Sequence, residues 1–157
     1  MNTMGNKFFP IFMDSEKKNV IVFGGGKIAT RRVKTLADFD FTIKVVSPEL
    51  SEELQRLVSE QRIKYVAERY HERHIPRNHL VLACTNERNV NEQIGEAAKR
   101  EKIPVSVCDA KEECTFYFPA IAVNDEATVG IVGTGNTHHL TKRIAEKIRE
   151  IIKGKAY

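Results

Sequence analysis

The chain contains no run of about 18 apolar residues, so no membrane-spanning helix is expected. Its N-terminus lacks the basic, apolar and small-residue succession of a signal peptide. It has no CxxC pair. Its three cysteines, Cys84, Cys108 and Cys114, cannot all be bridged, and a reducing, cytoplasmic compartment is expected. Internal repeats and low-complexity tracts are absent. So are an aromatic stacking platform and any nucleic-acid-binding motif, and the net charge is only +4, with 25 Lys and Arg against 21 Asp and Glu. That balance permits a small anionic ligand but does not support a nucleic-acid partner. His71, His74 and His79 match no metal-ligand spacing, and no metal is expected.

The 157 residues are 41% hydrophobic and 29% charged, an ordinary globular composition. The length suits one domain, or one domain with a short appendage, and needs no disulfide or metal to fold. Apolar blocks alternate with amphipathic ones, which predicts β-α-β units on a parallel sheet. Strands are expected at 19–23, 41–46, 63–67, 79–84 and 103–107. Ala29, Val33, Leu36 and Ala37 predict a helix over 27–39. Pro48 suits the first turn of a second helix bearing Leu50, Leu54, Leu57 and Val58. Thr85 or Asn86 suits the cap of a third, with Val90, Ile94, Ala97 and Ala98. Residues 115–123 and 127–132 read as an antiparallel hairpin, with Pro119 marking an edge or a bulge. A last helix over 137–153 sets Leu140, Ile144, Ile148 and Ile151 on one face. The fold class is therefore α/β. A Rossmann-like parallel sheet with helices on both faces, residues 1–113, is followed by a hairpin and a C-terminal helix, residues 114–157.

Gly24-Gly25-Gly26-Lys27-Ile28-Ala29 fits G-x-G-x-x-A between a strand and a helix. In a dinucleotide site the first glycine makes the tight turn and the second lets backbone approach a pyrophosphate. The third position must be small so that helix and strand pack closely. The helix start adds unpaired N–H groups and partial positive charge. The competing reading is a bare strand–helix turn. The acid that usually binds the ribose is missing, since the end of the second strand holds Ser47 and Pro48. No arginine stands there for a 2′-phosphate either.

Ligands of open parallel sheets bind beyond the carboxyl ends of the strands. Gly24–Gly26, Ser47, Thr85-Asn86 and Cys108-Asp109 should line that edge. Asp109 is the acid at these ends, either the acid/base of a reaction or the cap of a turn. Cys84 reads as a small buried residue, whereas Cys108 can face the cleft. His138 and His139 are adjacent on a helix and do not form a chelating pair. The basic residues of the last helix, Lys142 and Arg143 among them, form either a solvated face or a rim that attracts a polycarboxylate.

These segments resemble the precorrin-2 dehydrogenase family, which includes the N-terminal domain of siroheme synthases. The resemblance is carried by Phe9-Pro10-Ile11-Phe12, by residues 22–29 with Arg31-Arg32, by residues 45–50, by residues 83–86 with Val90-Asn91, and by residues 107–110 with 116–121. It implies an NAD-dependent oxidation of precorrin-2, a tetrapyrrole, to sirohydrochlorin. The implied cofactor contacts are Gly24, Gly25, Gly26, Lys27, Ile28, Ser47, Pro48, Thr85 and Asn86. Asp109 would be the general base, and some members also use that aspartate when inserting iron. Thr137, His138, Lys142 and Arg143 would meet the substrate.

The loop 132–138 departs from the family's serine- and proline-bearing pattern, and members usually continue past the last helix. A truncated dimerisation region is expected, with a homodimer formed through the hairpin. The alternative is a catalytically reduced NAD- or tetrapyrrole-binding module that regulates or partners an enzyme.

Overall fold

A computed structural model describes residues 8–133 and 138–154, His138 by its backbone alone. Residues Met13–Phe116 form one compact unit. Its five strands are β1 (Asn19–Phe23), β2 (Thr42–Val46), β3 (Lys64–Val66), β4 (Leu80–Ala83) and β5 (Val105–Val107). They are parallel and lie in the order β3-β2-β1-β4-β5. Val20 to Phe23 are wholly buried, as a central strand covered on both faces requires. Helices α1 (Lys27–Leu36) and α2 (Glu52–Ser59) follow β1 and β2, and α3 (Arg88–Arg100) joins β4 to β5. Right-handed crossovers put α1 and α2 on one face and α3 on the other. On the α3 face Ile21, Phe23, Val81 and Ile94 pack around Ile75, which the β3–β4 connection supplies. Tyr70, from the same connection, meets Phe23 edge-on at 5.1 Å.

Two helix starts differ from the sequence reading. Pro48 precedes α2 in a bend, and Ser51 is its N-cap, with Oγ accepting the Leu54 N–H at 3.2 Å. The chain must first cross the glycine turn, where the Ser51 N–H donates to the Gly25 carbonyl at 2.9 Å. Neither Thr85 nor Asn86 caps α3; Glu87 does, with no side-chain bond. The Thr85 hydroxyl instead donates to Asn91 at 2.7 Å. Residues 9–12 form no strand, and Phe9, Ile11 and Phe12 are largely exposed. Pro10 has no N–H to offer a ladder.

The second unit gathers residues 117–154 and the N-terminal residues up to Phe12, as far as they are described. β6 (Ala120–Val123) and β7 (Thr128–Ile131) form an antiparallel hairpin, and α4 (His138–Ile152) follows. The Asn124 side chain builds the turn by accepting the Ala127 N–H at 2.7 Å, and donates to the Ile152 carbonyl at 2.8 Å. Ala145 is the buried residue of α4, and Arg149 Nε donates to the Ile121 carbonyl at 3.0 Å. The packed face is thus Thr141, Ala145, Ile148, Arg149 and Ile152. The expected stripe is mostly outside, with Leu140, Ile144 and Ile151 at 53%, 41% and 51% exposure. Small residues set this rotation, because α4 lies close to Gly133, whose Cα faces Thr141. No described helix is long and apolar enough to cross a membrane.

Phe23 should be the most costly core position to empty. Phe23→Ala is expected to lower unfolding free energy by about 3–5 kcal/mol, through lost burial and the cavity left behind. Urea unfolding checks this, and a loss below ~1 kcal/mol would contradict the packing described.

Candidate functional site

The glycine turn lies between two carbonyls. Gly24 has φ +113°, and a Cβ there would meet the Cys84 carbonyl oxygen at 2.3 Å. A Cβ on Gly25 would meet the Glu49 carbonyl oxygen at 2.0 Å. These two glycines are required by the fold itself. Gly26 is different: a Cβ there would have nothing within 4 Å, and its φ of −88° suits any residue. The fold does not demand glycine at Gly26. The open side of Gly26 is where a ligand's phosphates would approach the backbone.

The start of α1 fits the same ligand. No side chain caps it, and its first turn holds no acid. Its leading N–H groups point outward without an intrahelical partner. Thr30 turns inward, donating to the Gly26 carbonyl at 2.8 Å and meeting Ser51 Oγ at 2.7 Å. Lys27 and Ile28 stand exposed at the helix mouth. Ser47 is buried, with its carbonyl accepting the Tyr65 hydroxyl at 3.0 Å. Pro48 and Asn86 are exposed on the flanking loops.

At the ends of β4 and β5 one buried amide organises the polar groups. Asn91 is fully buried on α3. Its Oδ1 accepts both the N–H (3.0 Å) and the hydroxyl (2.7 Å) of Thr85. Its Nδ2 donates to the Thr85 carbonyl at 3.0 Å and to Asp109 Oδ2 at 3.0 Å. The other Asp109 oxygen accepts Arg88 Nη1 at 3.1 Å, and Arg88 also pairs with Glu113. Asp109 is therefore oriented by two donors while its side chain keeps 36% exposure. The sequence reading had no role for Asn91 or Arg88. The available signal was a polar residue in the apolar stripe Asn91, Ile94, Ala98.

Cys84 and Cys108 follow register partners Ala83 and Val107 and end adjacent strands on the same face. The Cys84 thiol is pushed up, because its S–H is given to Cys108 and because it is buried. Cys108 is lowered to about 7 by accepting that hydrogen bond, against partial burial. Arg32 on α1 reaches over both strands, 3.2 Å from Ser106 Oγ and 3.5 Å from Cys84 Sγ.

The structure thus brings Gly24–Gly26, Ser47, Thr85, Cys108 and Asp109 to the carboxyl edge of one sheet. Lys142 and Arg143 are exposed on α4 in the other unit. Thr137 and the side chain of His138 lie outside the described residues.

Fold and edge together define a Rossmann-like dinucleotide-binding domain. Residues 11–120 match the model of a family described as "Putative NAD(P)-binding", and the chain belongs to that NAD(P)-binding family. It is 44% identical over 144 residues to the "Probable multifunctional siroheme biosynthesis protein HemA" of Ruminiclostridium josui, covering 91% of this chain and 28% of that protein. It is 34% identical over 146 residues to the siroheme synthase of Pseudoalteromonas translucida, covering 93% and 31%. The chain therefore spans about a third or less of the length of these curated relatives. A solved structure titled "SirC, precorrin-2 dehydrogenase" superposes with a TM-score of 0.75 at 24% identity, over 92% of this chain and 71% of that one. That likeness confirms the fold. The resemblance to the precorrin-2 dehydrogenase and siroheme synthase family is borne out.

The thiol pair has a measurable consequence. Thiolate is the reactive form, so alkylation of Cys108 should rise as pH passes through about 7, well before an ordinary thiol responds. Cys84 should stay inert. Iodoacetamide labelling followed by mass spectrometry checks this, and Cys84→Ala should shift the Cys108 profile to higher pH by removing the donor.

Proposed function

We propose that the chain is an NAD-dependent dehydrogenase that oxidises precorrin-2 to sirohydrochlorin in siroheme synthesis. The observation that carries this reading is the open, uncapped cradle at Gly26 on the same sheet edge as an oriented carboxylate, Asp109. The names of the siroheme synthase relatives and of the structural neighbour support it.

In this reading the Gly24–Gly26 turn and the first turn of α1 hold the pyrophosphate, with Lys27 and Ile28 at the mouth. Ser47 and Pro48 border the ribose. Thr85 and Asn86 border the nicotinamide end. Bound NAD supplies the hydride acceptor. Hydride removal leaves one proton for the protein to take, and Asp109 takes it. Asn91 and Arg88 hold the carboxylate in place for that step. The family resemblance assigns Thr137, His138, Lys142 and Arg143 to the substrate, and the positive charge of Lys142 and Arg143 suits its carboxylates. The free thiols Cys84, Cys108 and Cys114 suit a cytoplasmic location.

A second reading, a catalytically reduced module that binds NAD or tetrapyrrole, has one observation in its favour. Both Asp109 oxygens already accept hydrogen bonds within the chain.

We further propose a homodimer formed through the hairpin unit. Val123, Val132, Leu140, Ile144 and Ile151 remain exposed on that unit, as do Phe9, Ile11 and Phe12. A second copy would cover such apolar surface, and closed two-fold dimers are the commonest assembly.

Three measurements test these statements. Gly26→Asp should abolish NADH binding in calorimetry while the circular dichroism stays unchanged; retained affinity would refute the cradle. Asp109→Asn should lower anaerobic turnover of precorrin-2 about 10²–10⁴-fold with NADH binding kept. Near-normal turnover would make Asp109 structural, and absence of turnover in the unaltered chain would favour the second reading. Light scattering at micromolar concentration should give the mass of two chains, and a mass of one chain would reject the dimer.

A further inference from the structure

The end of the sheet away from the glycine turn carries positive charge that the dinucleotide reading leaves unused. A pocket of about 530 Å³ opens there, lined by the first residues of β1, β2 and β3 and by the β3–β4 connection. It lies on the α3 face, since Lys44 is the register partner of Ile21 in the core of that face. β1 runs five residues from Asn19 to Phe23, which sets the pocket roughly 16 Å from the glycine turn at about 3.3 Å per residue.

Lys44, Lys64, Arg73, Arg77 and His74 line the pocket, and no carboxylate does. Lys44 and Lys64 are direct register partners on neighbouring parallel strands. Their side chains therefore leave the sheet on the same face, about 4.8 Å apart at the backbone. Like charges at paired sheet positions are destabilising. The acid Glu68 of the adjoining β3–β4 connection is already engaged. Glu68 Oε2 is taken by Arg73 at 2.5 Å and by His74 at 3.0 Å. The side chains of Lys44, Lys64 and Arg77 have no hydrogen bond or ion pair among the described residues.

The wall that carries Arg77 is built rather than loose. Arg77 has φ +68°, a strained position for a residue with a side chain. Asn19 Nδ2 holds it by donating to the Arg77 carbonyl at 3.3 Å. Asn78 Nδ2 fastens the preceding turn by donating to the carbonyls of His74 (2.8 Å) and Ile75 (2.9 Å). Ile75 itself is fully buried in the core. Two paired ammonium groups and a guanidinium fork thus face one cavity from fixed backbone.

We propose that this pocket is a second ligand site, for a small molecule bearing two or more adjacent anionic oxygen groups, either phosphates or carboxylates. Such a ligand would neutralise the Lys44–Lys64 repulsion and accept the Arg77 fork. The site stands on residues 19–78 alone and does not depend on the dehydrogenase reading.

Calorimetry on the full chain at low ionic strength tests this, with sodium pyrophosphate and sodium citrate as separate titrants. At least one anion should bind, and more weakly as salt is added. Binding of pyrophosphate alone assigns a phosphate ligand, citrate alone a polycarboxylate, and both a general oxyanion site. The double variant Lys44→Gln/Lys64→Gln should weaken that binding about tenfold or more. Arg77→Gln, a single change at the exposed rim, should weaken it several-fold and guards against a misfolded double variant. Gly26→Asp, which removes any pyrophosphate held at the glycine turn, should leave the component of binding that Lys44, Lys64 and Arg77 carry, so the pocket variants are compared in that background. The site is refuted if neither anion binds, if binding survives both the double variant and Arg77→Gln, or if Gly26→Asp abolishes it, which would assign the anion to the glycine turn. A melting temperature of the double variant no lower than that of the unaltered chain would support the repulsion on which the site rests.

Discussion

The close approach of one backbone to another governs this sheet. Gly24 passes so near the Cys84 carbonyl that no side chain fits between them. The Gly24 N–H donates to the Val46 carbonyl and the Cys84 N–H to the Phe23 carbonyl, so the ends of β1, β2 and β4 are tied at one point. Gly25 then runs under the chain leaving β2. This crossing aims the start of α1 along the sheet edge and leaves Gly26 facing open space. A helix N-terminus with outward N–H groups and an approachable backbone is the physical content of an anion cradle. Here both features follow from steric demands at the two preceding residues.

The other half of the edge is organised by a buried amide. Asn91 spends both its oxygen and its nitrogen on Thr85 and Asp109, so no polar group of the amide is orphaned inside the protein. Leaving one unmade would cost about 1–3 kcal/mol, which explains how a single asparagine can make two strand ends one piece. Asp109 owes its orientation to this arrangement and to Arg88. The two thiols beside it differ in acidity, because Cys84 gives its S–H to Cys108 and is also the more deeply buried.

Charge is distributed unevenly along the strands. The carboxyl edge presents backbone N–H groups and a carboxylate, whereas the amino edge presents ammonium groups on adjacent strands. Parallel pairing enforces the latter. Residues in register leave the sheet on the same side, so two lysines that alternate correctly along their own strands become neighbours across them. The hairpin unit shows a related economy. α4 packs through Ala145 and its neighbours and keeps a second apolar stripe on the outside.

The sequence by itself determined the elements and their order. Runs such as Val20–Phe23 are apolar at every position, as a strand buried on both faces requires, and Ala29, Val33 and Leu36 recur at helical spacing. The glycine motif was legible as a unit, and Asp109 was legible as the acid at the strand ends. Tertiary structure alone separated Gly24 and Gly25 from Gly26, because the atoms that exclude a side chain belong to Cys84 and Glu49, far along the chain. It alone decided which face of α4 is buried, since Thr141, Ala145 and Arg149 turn inward while the more apolar Leu140, Ile144 and Ile151 stay outside, a choice that depends on how closely the helix approaches Gly133. It alone recruited Thr85 and Asn91 into one network and set Lys44 against Lys64. Periodicity is a local property that a single chain displays. Steric exclusion, hydrogen-bond partnership and cross-strand register arise only when distant segments meet.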